Sequence, residues 1–180
     1  MTDVVNRAFL FALKTHGGQT RKDGKPYLAH PVSVAFELAK NGGSDTLISA
    51  GLLHDTIEDG GVLPGELEKE FGEDVLRLIL FDTEDKSLSW SARKQATLSA
   101  LGGSDRDCAM LVCADKLSNL RDMAEGLESE GESFWGRFKY GRKEQAWLYR
   151  AYVGVLAGLA DLKMYQDLKQ LVETIFGKGE

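Results

Sequence analysis

Four Gly-Gly pairs, at 17–18, 42–43, 60–61 and 102–103, cut this chain into pieces of helical length. Glycine after an apolar run lets the backbone leave a helix, so each pair reads as a stop. Only three prolines occur, and Pro31 and Pro64 stand where a helix could begin. A ring-fixed φ and a missing N–H do no harm at that position. Between the stops, apolar residues recur at helical spacing, as Val4, Ala8, Phe11 and Ala12 do before Gly17. The pattern predicts helices over 4–16 and 31–40, and a third from a cap at Ser44 or Asp45 to about residue 58. Further helices are expected over 64–71, 73–81, 90–101, 105–125, 141–162 and 165–176. No stretch alternates apolar and polar residues for long enough to demand a sheet. The expected fold class is all-α: one single-domain helical bundle over residues 1–180.

Composition narrows the function. The length of 180 residues suits one domain with a core of its own, needing no disulfide to fold. The 22 Lys and Arg against 28 Asp and Glu leave a net charge of -6, which argues against a nucleic-acid polymer as partner. No apolar stretch reaches the roughly 20 residues that span a bilayer. The first residues, MTDVVNRAFLFALKTH, lack the parts of a signal peptide, so no membrane partner and a cytoplasmic location are expected. Cys108 and Cys113 sit in an apolar run at a spacing that fits no common zinc pattern, and read as buried thiols. The oligomeric state is not written in the sequence.

Two helices break the binary pattern. In the third, Ile48, Leu52, Asp55 and Asp59 would share one face, apolar above and carboxylate below. His54, Asp55, Glu58 and Asp59 then crowd its last turn, where buried charge is costly and carboxylates oppose the helix dipole. A bound cation would remove both objections. In the helix after Asp105, the apolar run 108–114 is followed at once by Asp115, with Asn119 and Asp122 on succeeding turns. An aspartate ending such a run also calls for a cation. The chain has three histidines, His16, His30 and His54. A set of His30, His54, Asp55 and Asp115 would give two imidazoles and two carboxylates, suited to one Mn²⁺, Fe²⁺ or Zn²⁺ ion. Taken singly, each has a plainer reading: a hydrogen-bonded core histidine, a salt-bridged aspartate, a chance His-Asp pair. The joint pattern favours the metal site, and His16 is left between the two readings.

The stretches RKDGKPYLAHPVSVA, LLHDTIED, FGEDV, TEDKSLSW and ADKLSNLRD resemble, in that order, the hydrolase domain of the RelA/SpoT family. This is the (p)ppGpp pyrophosphohydrolase branch of the HD superfamily, and the likeness runs from about Phe9 to Leu159. The resemblance implies an HD-type helical fold with one divalent ion, usually Mn²⁺, on His30, His54, Asp55 and Asp115. It implies that Glu58 and Asp59 handle the attacking water. It assigns Arg21 and Lys22 to substrate phosphate and Asn119 to the nucleotide, with Tyr149 a looser match to a pocket tyrosine. The expected reaction removes the 3′-pyrophosphate of ppGpp or pppGpp, giving GDP or GTP and pyrophosphate. Longer members carry a synthetase after the hydrolase; with the last residue at Glu180, a small stand-alone hydrolase is expected.

Two rivals use the same residues: an HD phosphohydrolase acting on another nucleotide, such as NADPH or a nucleoside phosphate, and a non-catalytic nucleotide-binding module. Other features have less to say. Arg137, Lys139, Arg142 and Lys143 read more simply as a solvated face than as a phosphate clamp. Lys86 lies in a family-like segment without a visible role. Trp90, Trp135 and Trp147 read as packing residues, and Phe134-Trp135 as a candidate flap.

Overall fold

The computed structural model describes residues 3–21 and 24–177. Among these the chain is all helical: α1 (Asp3–His16), α2 (Ala29–Lys40), α3 (Asp45–Leu53), α4 (Pro64–Phe71), α5 (Glu73–Asp82), α6 (Trp90–Leu101), α7 (Arg106–Glu130), α8 (Arg142–Val155) and α9 (Lys163–Phe176). Short 3-10 turns, Gly131–Arg137 and Ala157–Leu159, flank α8. Among the described residues, none forms a strand; Thr20 and Pro26 make one isolated bridge across the loop before α2. No helix of these residues is long and apolar enough to cross a membrane.

Helix α3 sits at the centre, packed by α1, α2, α5 and α7. Its sequence explains why: Leu47, Ala50, Leu52 and Leu53 are buried on different sides, as a helix surrounded by others requires. Each fully buried leucine contributes about 2 kcal/mol. Ser44 caps α3 by accepting the Leu47 N–H at 3.2 Å, and Asp105 caps α7 by accepting the Cys108 N–H at 2.9 Å. Helix α7 brings Leu111, Val112, Cys113, Ala114 and Leu117 through the core, between α2, α5 and α9. Both cysteines are free and buried. Burial pushes the Cys108 thiol up to about 11 and the Cys113 thiol up to about 12.

Four helix ends stand out against the sequence reading. α2 opens at Ala29, so His30 lies inside its first turn and Pro31 follows within that turn, where N–H groups lack intrahelical partners anyway. α7 runs on to Glu130 and α8 stops at Val155. The most consequential is α3, which ends at Leu53 and not near residue 58. Side chains stop the ladder there: His54 Nδ1 donates to the Gly51 carbonyl at 2.9 Å, and the Thr56 hydroxyl donates to the Leu53 carbonyl at 2.6 Å. Residues 54–60 therefore form successive turns, and Asp55 and Asp59 do not continue a helical face of Ile48 and Leu52.

Candidate metal centre and active site

Three buried side chains from three helices meet at one point: His30 from α2, His54 at the end of α3, and Asp115 from α7. One donor atom from each lies within 4.8 Å of the other two. The imidazole Nε2 atoms face each other at 3.2 Å. Asp115 Oδ1 stands 3.1 Å from His30 Nε2 and 3.8 Å from His54 Nε2. Asp55 flanks the pair, with Oδ1 3.3 Å from His54 Nε2 and Oδ2 3.7 Å from His30 Nε2.

These residues fit a divalent ion. The opposite ring nitrogens are already engaged, His54 Nδ1 with the Gly51 carbonyl and His30 Nδ1 with Ser118 Oγ at 3.0 Å. For His54 this fixes the tautomer that leaves a lone pair on Nε2. Two Nε2 atoms facing each other, ringed by carboxylates, could hold a cation with mixed nitrogen and oxygen donors. The charges respond accordingly. Burial alone would lower the His54 imidazole, but the carboxylates of Asp55, Asp115 and Asp82 outweigh it and raise its pKa. Burial works to raise Asp115, yet Lys116 and the two histidines hold its carboxyl well below the usual range.

The Glu-Asp pair lies beside this centre. Glu58 Oε2 accepts the Glu84 N–H at 3.3 Å, and Asp59 Oδ1 accepts from Lys86 Nζ at 3.0 Å. Lys86 also donates to the Glu58 carbonyl at 2.8 Å, so it clamps the turn that carries the pair. Burial would raise Asp59, but hydrogen bonds from Lys86 and Tyr27 hold its carboxyl below the ordinary value. The turn closes on Gly60, where an added Cβ would stand 2.3 Å from Thr15 Cγ2 and 2.5 Å from the Thr56 carbonyl oxygen.

Arg21 and Asn119 extend the cavity wall from this cluster. Arg21 Nη2 donates to Asn119 Oδ1 at 2.8 Å and lies 3.2 Å from Asp122 Oδ2. Asn119 Nδ2 in turn donates to Asp115 Oδ1 at 2.6 Å, tying the arginine to the metal centre. Arg21 Nη1 is buried without a hydrogen-bond partner. Lys22 lies outside the described residues. Tyr149, buried in α8, lines the same cavity of about 830 Å³ as Arg21, His30, Asp55, Glu58 and Asp115. That volume suits a nucleotide-sized ligand.

Several contributors escaped the sequence reading. The Tyr27 hydroxyl lies 2.7 Å from Asp55 Oδ2 and 2.8 Å from Asp59 Oδ2, one donor shared between two carboxylates. Burial and the Asp55 carboxylate raise its pKa, so it stays a donor. His16 stacks on the Tyr27 ring at 4.8 Å and holds Gln19, whose amide donates to the Asp59 carbonyl. His16 is thus a support and no ligand of this cluster. Asp82 and Lys116 also line the cavity; burial raises the Asp82 carboxyl, whose Oδ1 has no hydrogen-bond partner. Asp82 ends the apolar run of α5 as Asp115 ends that of α7, so the signal was present.

The basic cluster divides. Arg137 lines the cavity, its guanidinium 5.5 Å above the Phe134 ring and bonded to Glu130. Arg142 turns away to Glu132 and the Ile175 carbonyl. Phe134 and Trp135 are buried against Phe138 and Phe176, which is packing and not a free flap. Trp90 stacks on Tyr140 at 4.3 Å.

The HD-domain family model matches residues 8–135. A Xenopus tropicalis protein named guanosine-3′,5′-bis(diphosphate) 3′-pyrophosphohydrolase MESH1 is 39% identical over 117 residues, covering 63% of this chain. The match spans 65% of that relative's own length. A Listeria monocytogenes EGD-e crystal structure is 33% identical, with a TM-score of 0.78 over 83% of this chain and 99% of its own. A structure described as a metazoan ortholog of SpoT that hydrolyses ppGpp shares the fold at TM-score 0.82, covering 99% of this chain and 98% of its own at 24% identity. With three helices delivering two histidines and an aspartate to one point, and the family model covering most of its length, the chain belongs to the HD-domain family.

Proposed function

We propose that this protein hydrolyses the 3′-diphosphate of ppGpp or pppGpp, giving GDP or GTP and pyrophosphate. The observation that carries the reading is the convergence of His30, His54 and Asp115, flanked by Asp55, in a cavity that also holds Glu58, Asp59 and Arg21. The names of the relatives point the same way.

In this reading His30, His54, Asp55 and Asp115 hold one divalent ion, Mn²⁺ by preference. When bound, that ion supplies Lewis acidity, neutralising charge on the phosphate under attack and acidifying water. Glu58 and Asp59 orient the attacking water and take its proton. Water adds at the phosphorus next to O3′, the P–O3′ bond breaks, and the ribose oxygen leaves as a hydroxyl with a proton. Arg21, held by Asn119 and Asp122, has its buried Nη1 left to donate to a phosphate oxygen, supported by Lys22. Tyr149 and Asn119 bound the space for the nucleotide. Tyr27 keeps Asp55 and Asp59 at a set separation, so the ion and the water-handling group stay in register.

A substrate panel in Mn²⁺ tests this. Pyrophosphate release from ppGpp is expected to exceed phosphate release from NADPH or nucleoside monophosphates. Faster phosphate release from either of these would replace the proposed substrate; tight ppGpp binding without turnover would make the protein a binding module.

A further inference from the structure

The main cavity has a side lobe of about 180 Å³, bounded by Trp90, Leu148 and Tyr152 on its far wall. Lys94, Lys116, Asn119, Gln145 and Tyr149 line both the lobe and the main cavity, so the two communicate. The shared wall reaches the His–Asp cluster, because Lys116 follows Asp115 in α7 and its ammonium bonds Asp115 Oδ2. The lobe therefore adjoins the candidate ion site.

Two lysine side chains, 18% and 15% exposed, are unusual for residues that normally stay in water. Each is anchored by a carboxylate, Lys94 by Glu84 and Lys116 by Asp115. Lys94 donates to Glu84 Oε1 at 2.5 Å while Arg93 occupies Oε2 at 2.8 Å. Lys116 lies 3.9 Å from Asp82 Oδ1, beyond hydrogen-bond reach. An ammonium carries three donors, and the anchors take one from each lysine. The remaining N–H groups suit the oxygens of a phosphate.

We propose that this lobe receives the second phosphate of the diphosphate group, with Lys94 and Lys116 as its donors, and thereby selects 3′-diphosphate over monophosphate esters. The inference rests on the proposed function and adds what that reading leaves unassigned: where the phosphate not under attack is held, before the reaction and in the pyrophosphate product.

The test is calorimetric titration of the Mn²⁺-loaded protein, at fixed free Mn²⁺, with pyrophosphate and with orthophosphate. Wild-type protein is expected to bind pyrophosphate at least about tenfold more tightly, the worth of one charge-assisted hydrogen bond. Lys94→Met should erase most of that ratio and Lys94→Arg should retain it. Equal affinity for the two anions in the wild type, or an unchanged ratio in Lys94→Met, overturns the proposal. The wild-type ratio decides even if Lys94→Met fails to fold. A protein that prefers pyrophosphate yet releases none from ppGpp keeps the lobe and loses the substrate, so the two readings fail separately.

Discussion

His30 and His54 point their Nε2 atoms at each other across 3.2 Å, with both Nδ1 atoms already engaged. Both Nε2 atoms are thereby left to meet a cation. One ion per chain is therefore expected in protein purified with Mn²⁺. At a hundredfold excess over Kd, a ligand adds about 2.7 kcal/mol, which for a domain of this size raises Tm by roughly 5–11 °C. Scanning calorimetry with and without a chelator measures it. His54→Ala should abolish the ion-dependent shift; an equal shift in that variant contradicts the ligand assignment.

Glu58→Gln keeps the shape of the side chain and its bond from the Glu84 N–H, but removes the charge. Bound metal should be unchanged while kcat falls by about 10²–10⁴, the usual worth of a positioned proton acceptor. Metal analysis beside a turnover assay separates the two quantities. A variant working at near wild-type rate removes Glu58 from the chemistry.

Tyr27→Phe deletes the hydroxyl shared by Asp55 and Asp59 while leaving the ring stacked on His16. Support of this kind is worth about 10–100-fold in metal affinity or activity. Metal titration and kcat should both worsen while Tm of the metal-free protein holds. Unchanged metal affinity and rate together would falsify the bridging role.

Gly126, inside α7, lies under the Phe134 ring; a Cβ there would meet Phe134 Cε2 at 2.1 Å. Phe134 is wedged among Trp135 and Phe138 and has little room to retreat. Gly126→Ala gains up to about 1 kcal/mol in helix propensity, against roughly 1–3 kcal/mol of overpacking. Net destabilisation is expected. In a Phe134→Ala background the same change should become stabilising, a reversal of sign that denaturant unfolding of the four proteins can read.

Burial raises the Cys108 thiol to about 11 and the Cys113 thiol to about 12. Thiolate is the reactive form. At pH 8 the folded protein should resist alkylation by iodoacetamide and label at both positions once unfolded. Rapid labelling of the native protein at Cys113 would show that α7 opens more readily than its packing implies.

Helix type, count and order were legible in the sequence because glycine, proline and capping residues punctuate it so clearly. Ser44 and Asp105 cap where expected, and Asp115 stands at the edge of the core as its apolar run foretold. The path from His54 to Gly60 was not legible. Helical spacing placed Asp55 and Asp59 on one face, while His54 and Thr56 divert their side chains to the last carbonyls of α3 and end it. That competition depends on rotamers, which a periodicity does not contain. Tyr27 escaped for a related reason: it sits in a loop, and its value arises from two carboxylates 28 and 32 residues further on.

Gly60 has one more consequence. Its backbone is pressed against Thr15, and the next residue of the same helix, His16, braces Tyr27. Helix α1 contributes none of the proposed ligands, yet it works as a splint strapped across the turn that carries Glu58 and Asp59. Fraying of the amino terminus, by a bulky fusion partner or a deletion, would then weaken metal retention and turnover from a distance. Damage there would be mistaken for a lesion in the active site itself.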